Sequence, residues 1–69
     1  MKLSARNILK GKVLQIKSGA VNAEITIVLT GGEQIVSIIT MASVKSLGLK
    51  KGGEAYAVIK ASNVMIAVD

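Results

Sequence analysis

Val21-Asn22-Ala23-Glu24-Ile25-Thr26-Ile27-Val28-Leu29-Thr30 is the stretch on which the fold turns. Val21, Ala23, Ile25, Ile27 and Leu29 fall on one set of alternate positions, and Asn22, Glu24, Thr26, Val28 and Thr30 on the other. Successive side chains of a strand point to opposite faces, so this period of two predicts a strand with one buried face. Gly31-Gly32 follows, and then the β-branched run Gln34 to Thr40. Two glycines that accept positive φ suit a tight hairpin, so these two strands are expected to pair antiparallel.

Beyond the hairpin the period changes. Met41, Val44 and Leu47 recur every three residues between Thr40, a capping residue, and Gly48, a helix terminator, which predicts one short helix of about two turns. Lys50-Lys51-Gly52-Gly53 is a flexible connection. From Glu54 to Ala61 alternation returns, with Ala55, Ala57, Ile59 and Ala61 opposite Tyr56, Val58, Lys60 and Ser62, and this predicts a fourth strand. Ser62-Asn63 interrupts it, and Val64 to Val68 reads as a fifth. On the N-terminal side, Leu9 to Lys17 mixes charged and apolar residues at roughly alternate positions and reads as the first strand, although the pattern is imperfect. The whole is an all-β chain, residues 1–69 forming one domain. Its element order is that of an OB-like five-stranded Greek-key barrel with one short helix between strands three and four. An SH3-like barrel would give much the same order, and neither fold fixes a function.

A lone core is marginal in a chain of 69 residues, and with no Cys and no His neither disulfides nor a common zinc site can supplement it. Oligomerisation is the remaining support. The apolar runs Ala55 to Ile59 and Val64 to Val68 are far shorter than the roughly 20 residues a membrane-spanning helix needs. Met1-Lys2-Leu3-Ser4-Ala5-Arg6-Asn7 has no apolar run after its basic residues and does not read as a secretion signal, so a cytoplasmic protein is expected. Nine Lys and Arg against four acidic residues give a net charge of +5, which favours an anionic partner.

Catalysis is poorly provided for. Glu24, Glu33, Glu54 and Asp69 are scattered, and no serine has an evident base, so no enzyme is expected. Cation binding lacks clustered carboxylates, thiolates and imidazoles. Three segments offer donors instead. Ser4-Ala5-Arg6-Asn7 supplies a hydroxyl, a planar guanidinium fork and an amide. Thr40-Met41-Ala42-Ser43 stands at a helix start, where free N–H groups favour an anion. Lys60-Ala61-Ser62-Asn63 puts an ammonium and a hydroxyl on one face at the end of the fourth strand. Each has a plain structural alternative when taken alone: a terminal segment, an ordinary cap, a lysine on a wet face. Together they supply donors and no carboxylate. A fully ionised tetrahedral dianion accepts hydrogen bonds and donates none, so the set suits molybdate, tungstate or sulfate. Protonated phosphate would want an acceptor that is missing here.

Ser4-Ala5-Arg6-Asn7 with Leu9-Lys10-Gly11, the Ile39-Thr40-x-x-Ser43-Val44 step, Leu47-Gly48-Leu49 with Gly52, and Ala57-x-x-Lys60-Ala61-Ser62-x-Val64 together resemble the molbindins, small molybdate/tungstate-binding proteins. The resemblance runs nearly end to end. It implies intracellular storage or buffering of molybdate or tungstate as bound ligand, with no organic cofactor, by a homo-oligomer that is a hexamer, a trimer of dimers. Oxyanions would sit at subunit interfaces. Ser4, Ala5 and Arg6 would come from one subunit, with Thr40, Ser43, Lys60, Ala61 and Ser62 closing the site. A second site around Gly19, Ala20, Val21 and Asn22 is also implied.

Two other readings share this fold. An OB-fold nucleic-acid binder would use the positive charge, but such domains stack bases on aromatic rings and only Tyr56 is available, so neither nucleic acid nor membrane is expected as a partner. An oxyanion-sensing module of a regulator or transporter would keep the site and signal its occupancy. The start at Met1 and the absence of a linker lead us to expect a free-standing protein.

Overall fold

A computed structural model describes residues 1–69. The elements are β1 (Asn7–Ser18), β2 (Asn22–Leu29), β3 (Gln34–Thr40), α1 (Met41–Ser46) and β4 (Glu54–Ile59), followed by a single 3₁₀ turn, Ala61–Asn63. The strands form one antiparallel sheet in the order β3-β2-β1-β4. The all-β class and the helix between strands three and four are as the sequence predicts.

The imperfect alternation of the first strand has a structural cause. In β1, Gly11 pairs with Leu29 and Val13 with Ile27, whereas Gln15 pairs with Thr26 and Ile16 with Ile25. Leu14 is thus the extra residue of a β-bulge, which leaves one residue unopposed and increases the local twist. Odd-numbered residues face inward before it and even-numbered ones after it. A single period could not fit a strand that changes phase.

The hairpin between β2 and β3 is wider than a two-residue turn. Gly32 N donates to the Leu29 carbonyl at 2.9 Å and Leu29 N to the Glu33 carbonyl at 2.8 Å, leaving Thr30, Gly31 and Gly32 as the loop. Of the two glycines only Gly32 has positive φ, at 94°. This is the three-residue hairpin that ends on a left-handed residue.

Val13, Ala23, Ile25, Ile27, Val44 and Ala57 are the buried core, and each sheet strand except β3 contributes to it. Val44 is the buried residue of α1, which covers one end of the sheet. The helix is held at both ends by local chemistry. Thr40 Oγ1 accepts from Ser43 N at 3.0 Å. At the other end Gly48, at φ 63°, donates to the Lys45 carbonyl at 3.1 Å, and Leu49 N donates to the Val44 carbonyl at 3.1 Å. That pair of bonds is the Schellman arrangement, and it turns Leu49 back to pack on the core.

Two expectations are corrected here. The fourth strand ends at Ile59, so Lys60, Ala61 and Ser62 lie in a turn and not on a strand face. Val64 to Val68 pairs with no strand of its own chain. A strand needs a neighbouring edge to satisfy its amides and carbonyls, and this segment meets none within the chain, so the sheet has four strands and no fifth to close it.

Candidate functional site

Asn7 opens β1 and Ile59 closes β4, and the two are register partners in the antiparallel pair. The residues just before the one and just after the other therefore emerge side by side. Asn7 Nδ2 also donates to the Ile59 carbonyl at 3.2 Å, tying the two chain ends across 52 positions of sequence. After Ile59 the chain folds into the 3₁₀ turn, with Asn63 N donating to the Lys60 carbonyl at 2.8 Å.

A cleft of about 420 Å³ results, lined by Ser4, Ala5, Arg6, Lys60, Ala61 and Ser62. Two of the three donor segments expected from the sequence are thus brought together within one chain. Two cationic side chains and two hydroxyls line the cleft, and no carboxylate does. Arg6 and Lys60 are exposed, so their charges reach an incoming anion without first being stripped of water by the fold.

Thr40 and Ser43 do not line this cleft. Thr40 is the register partner of Asn22, and Met41 N donates to the Val21 carbonyl at 2.8 Å. The helix start therefore sits beside the turn that joins β1 to β2, where Gly19 N donates to the Asn22 carbonyl at 2.8 Å. Twelve residues of β1 separate this end of the sheet from the cleft. The expected site residues accordingly fall into two groups, Ser4–Arg6 with Lys60–Ser62 at one end and Gly19–Asn22 with Thr40 and Ser43 at the other. Of the residues expected to close the site around Ser4 and Arg6, Lys60, Ala61 and Ser62 line the cleft within the same chain, and Thr40 and Ser43 do not. Thr40 Oγ1 is engaged with Ser43 N, and its hydroxyl donates to Ser43 Oγ at 2.9 Å, so these side chains cap the helix.

A second basic concavity, lined by Lys10, Gly11, Lys12, Thr30 and Glu54, differs in kind. Lys10 Nζ lies 3.0 Å from Glu54 Oε2. The hydrogen bond from Lys10, and then its charge, hold the Glu54 carboxyl below its usual value, and the same partner raises Lys10. An ionised carboxylate within the concavity repels an anion, which the first cleft does not do.

Asn7 is the residue whose role the sequence reading missed. In the sequence it is one more donor of the segment, whereas in the fold its amide is spent on the Ile59 carbonyl and ties the two sides of the cleft together. Only the pairing of β1 with β4, which joins residues 52 apart, could have shown this.

Fold and cleft together define a small sheet protein that presents a basic, carboxylate-free recess to anions. The TOBE domain model matches residues 3–66. A probable molybdenum-pterin-binding protein of Haemophilus influenzae is 52% identical over 69 residues, which is all of both chains. Among solved structures, MopII from Clostridium pasteurianum superposes with a TM-score of 0.91 at 49% identity, covering 97% of this chain and 100% of that one. The molybdate-bound form of ModG, described as a cytoplasmic molybdate-binding protein, matches with a TM-score of 0.91 at 58% identity, covering 94% of this chain and 46% of ModG. The chain belongs to the TOBE domain family and is of the molbindin type.

Proposed function

We propose that the protein binds molybdate or tungstate and stores or buffers it in the cytoplasm, without chemical change to the anion. The observation that carries this reading is the cleft between Ser4–Arg6 and Lys60–Ser62, which is lined by two cationic side chains and two hydroxyls and by no carboxylate. A desolvated dianion is stable only where such groups replace its water. The names of the relatives, molybdenum-pterin-binding and molybdate-binding proteins, support the ligand.

The same reading includes a homo-oligomer, a hexamer built as a trimer of dimers, with anions held where subunits meet. The cleft is open on its outer side, so a neighbouring subunit bringing Thr40 and Ser43 would complete its coordination. Gly19, Ala20, Val21 and Asn22 would form a second oxyanion site at the opposite end of β1.

Titration calorimetry with molybdate, tungstate, sulfate and phosphate at one pH tests the reading, with native mass spectrometry giving anions bound per subunit. Tight binding of the two metal oxyanions with weak or absent binding of phosphate is the expected result. Equal affinity for all four would reduce the site to a general anion trap. No heat with any of them would remove the function.

A further inference from the structure

Lys60 is the one lysine that lines the cleft, where it stands with Arg6 and the hydroxyls of Ser4 and Ser62. Its ammonium has no carboxylate partner, since the ion pair of this chain is Lys10–Glu54. Nor does its side chain cap the 3₁₀ turn that follows, although Lys60 stands at the cap position with extended backbone, φ −62° and ψ 132°. The residue is exposed. Nothing within the chain therefore engages this amine, and a lysine amine that has lost its proton is a nucleophile.

The surroundings of the amine decide which electrophiles collect beside it. A neutral acyl ester has no group for Arg6 to hold. An acyl phosphate has one, a phosphoryl group that is fully ionised at neutral pH and is joined through a single oxygen to the reactive carbonyl carbon. Its phosphoryl oxygens accept hydrogen bonds and donate none, which is the requirement that molybdate also meets. Inorganic phosphate keeps a proton and does not meet it. The cleft, at about 420 Å³, has room for a phosphoryl group with a small acyl chain. An acyl phosphate held by Arg6 and the two hydroxyls keeps its carbonyl carbon in the cleft that Lys60 also lines, and such confinement accelerates transfer by raising the effective concentration of the reacting groups.

We propose that Lys60 is a site of self-acylation by small acyl phosphates, and that the modification closes the cleft to oxyanions. The inference rests on the reading of the cleft as an anion site. In the step, the neutral amine of Lys60 attacks the acyl carbon and a C–N bond forms. The bond from that carbon to the bridging oxygen breaks, its electron pair stays with the phosphate, and the proton that the nitrogen loses passes to the departing phosphate. The products are an amide and hydrogen phosphate, with no oxidant or cofactor involved. Hydrogen phosphate carries a proton for which the cleft lining has no carboxylate acceptor, which favours its departure. The amide nitrogen carries no charge, so one of the two cations of the cleft is gone.

The other lysines of the chain are the internal standard, Lys50 and Lys51 above all, which are exposed on the α1–β4 connection and do not line the cleft. The purified protein is incubated with acetyl phosphate, and acetylation at each lysine is followed in time by mass spectrometry. Lys60 is expected to react at least about tenfold faster than Lys50 or Lys51. With N-hydroxysuccinimidyl acetate, which delivers the same acetyl group without a phosphoryl, that lead should vanish. Arg6→Gln, checked for its fold by circular dichroism, should also abolish it, as should saturating molybdate. Protein acetylated at Lys60 should bind molybdate at least about tenfold more weakly in calorimetry, the loss expected when one charge-assisted bond is removed. A Lys60 rate no greater than that of Lys50 or Lys51 overturns the proposal. So does an equal lead with the succinimidyl ester, which would make Lys60 merely reactive, and so does a lead that survives both Arg6→Gln and molybdate. Unaltered molybdate affinity after acetylation removes the closing of the cleft. If calorimetry shows molybdate bound to the parent protein and Lys60 has no lead, the acylation alone falls. If no molybdate binds and a lead abolished by Arg6→Gln remains, the storage reading falls and the acylation stands.

Discussion

Asn7 and Ile59 are joined twice, once as register partners of the β1–β4 pair and once by the 3.2 Å hydrogen bond from Asn7 Nδ2 to the Ile59 carbonyl. The second bond lies at the point where the sheet ends and the cleft begins. Asn7→Ala is therefore expected to weaken anion binding although Asn7 does not line the cleft. A single hydrogen bond of this kind contributes about 0.5–1.5 kcal/mol, so a modest fall in melting temperature should accompany the loss. Calorimetry and a thermal melt on the variant check both, and unchanged affinity would mean that the strand pairing alone holds the cleft.

Arg6→Ala and Lys60→Met are each expected to lower anion affinity by about tenfold to a few hundredfold, since charge-assisted hydrogen bonds are worth about 1.5–3 kcal/mol. Both side chains are exposed and the fold does not depend on them, so sedimentation and circular dichroism should be unchanged. Parental affinity in both variants would move the site to the Gly19–Asn22 end.

Molybdate or tungstate at a hundredfold excess over its dissociation constant should stabilise the folded protein by about 2.7 kcal/mol per independent site. Phosphate at the same concentration and pH should do little. Thermal melts with each anion decide the matter, and equal stabilisation by sulfate would end the claim of selectivity.

Thr40→Ala removes the acceptor for Ser43 N and should cost about 1 kcal/mol of stability through the lost cap. Denaturant melts measure this. Binding at the Ser4–Lys60 cleft is expected to fall less than in Arg6→Ala, because within the chain Thr40 stands at the far end of β1.

The Lys10–Glu54 pair gives a dependence on pH with a defined sign. Glu54 is lowered, so its contribution is present above the usual glutamate range and is lost as pH falls through the lowered value. Lys10 is raised, so its contribution is present below the usual lysine range and is lost as pH rises through the raised value. Both side chains are more than half exposed, and exposed pairs contribute little and are screened by salt. Glu54→Gln should accordingly shift the melting temperature slightly at neutral pH and low salt, and not at all at high salt. A large shift that survives salt would point to a role beyond this pair.

Much of this architecture is legible in the residues. Val21 to Leu29 announces β2 because one face is buried, and Thr40 and Gly48 bracket α1 because capping is a local chemistry that a few residues decide. The limits are equally physical. Leu14 disguises β1, since a bulge changes the phase that alternation relies on. Lys60 to Ser62 continues the alternation of β4 on paper but folds as a turn, because alternation carries no information about where pairing stops. Val64 to Val68 has the pattern of a strand but pairs with neither open edge of its own sheet, and alternation does not say which edge a strand will meet. Of the site, the donor segments are legible from their chemistry, whereas their division between the two ends of β1 depends on pairings that join distant residues.

β1 is bonded to a strand on each side, β2 and β4, and its Val13 is among the least exposed residues of the chain. Amide hydrogen exchange should therefore be slowest along its middle, and local opening should spread inward from β3, from the Gly52-Gly53 turn and from the terminal arm. The cleft is mounted on the first residue of this slowest strand and borrows its persistence. An anion held there is expected to dissociate through movement of the Lys60–Ser62 turn more than of Arg6, whose backbone leads directly into β1. Release would then be governed mainly by one side of the site, the side that leads into Val64 to Val68.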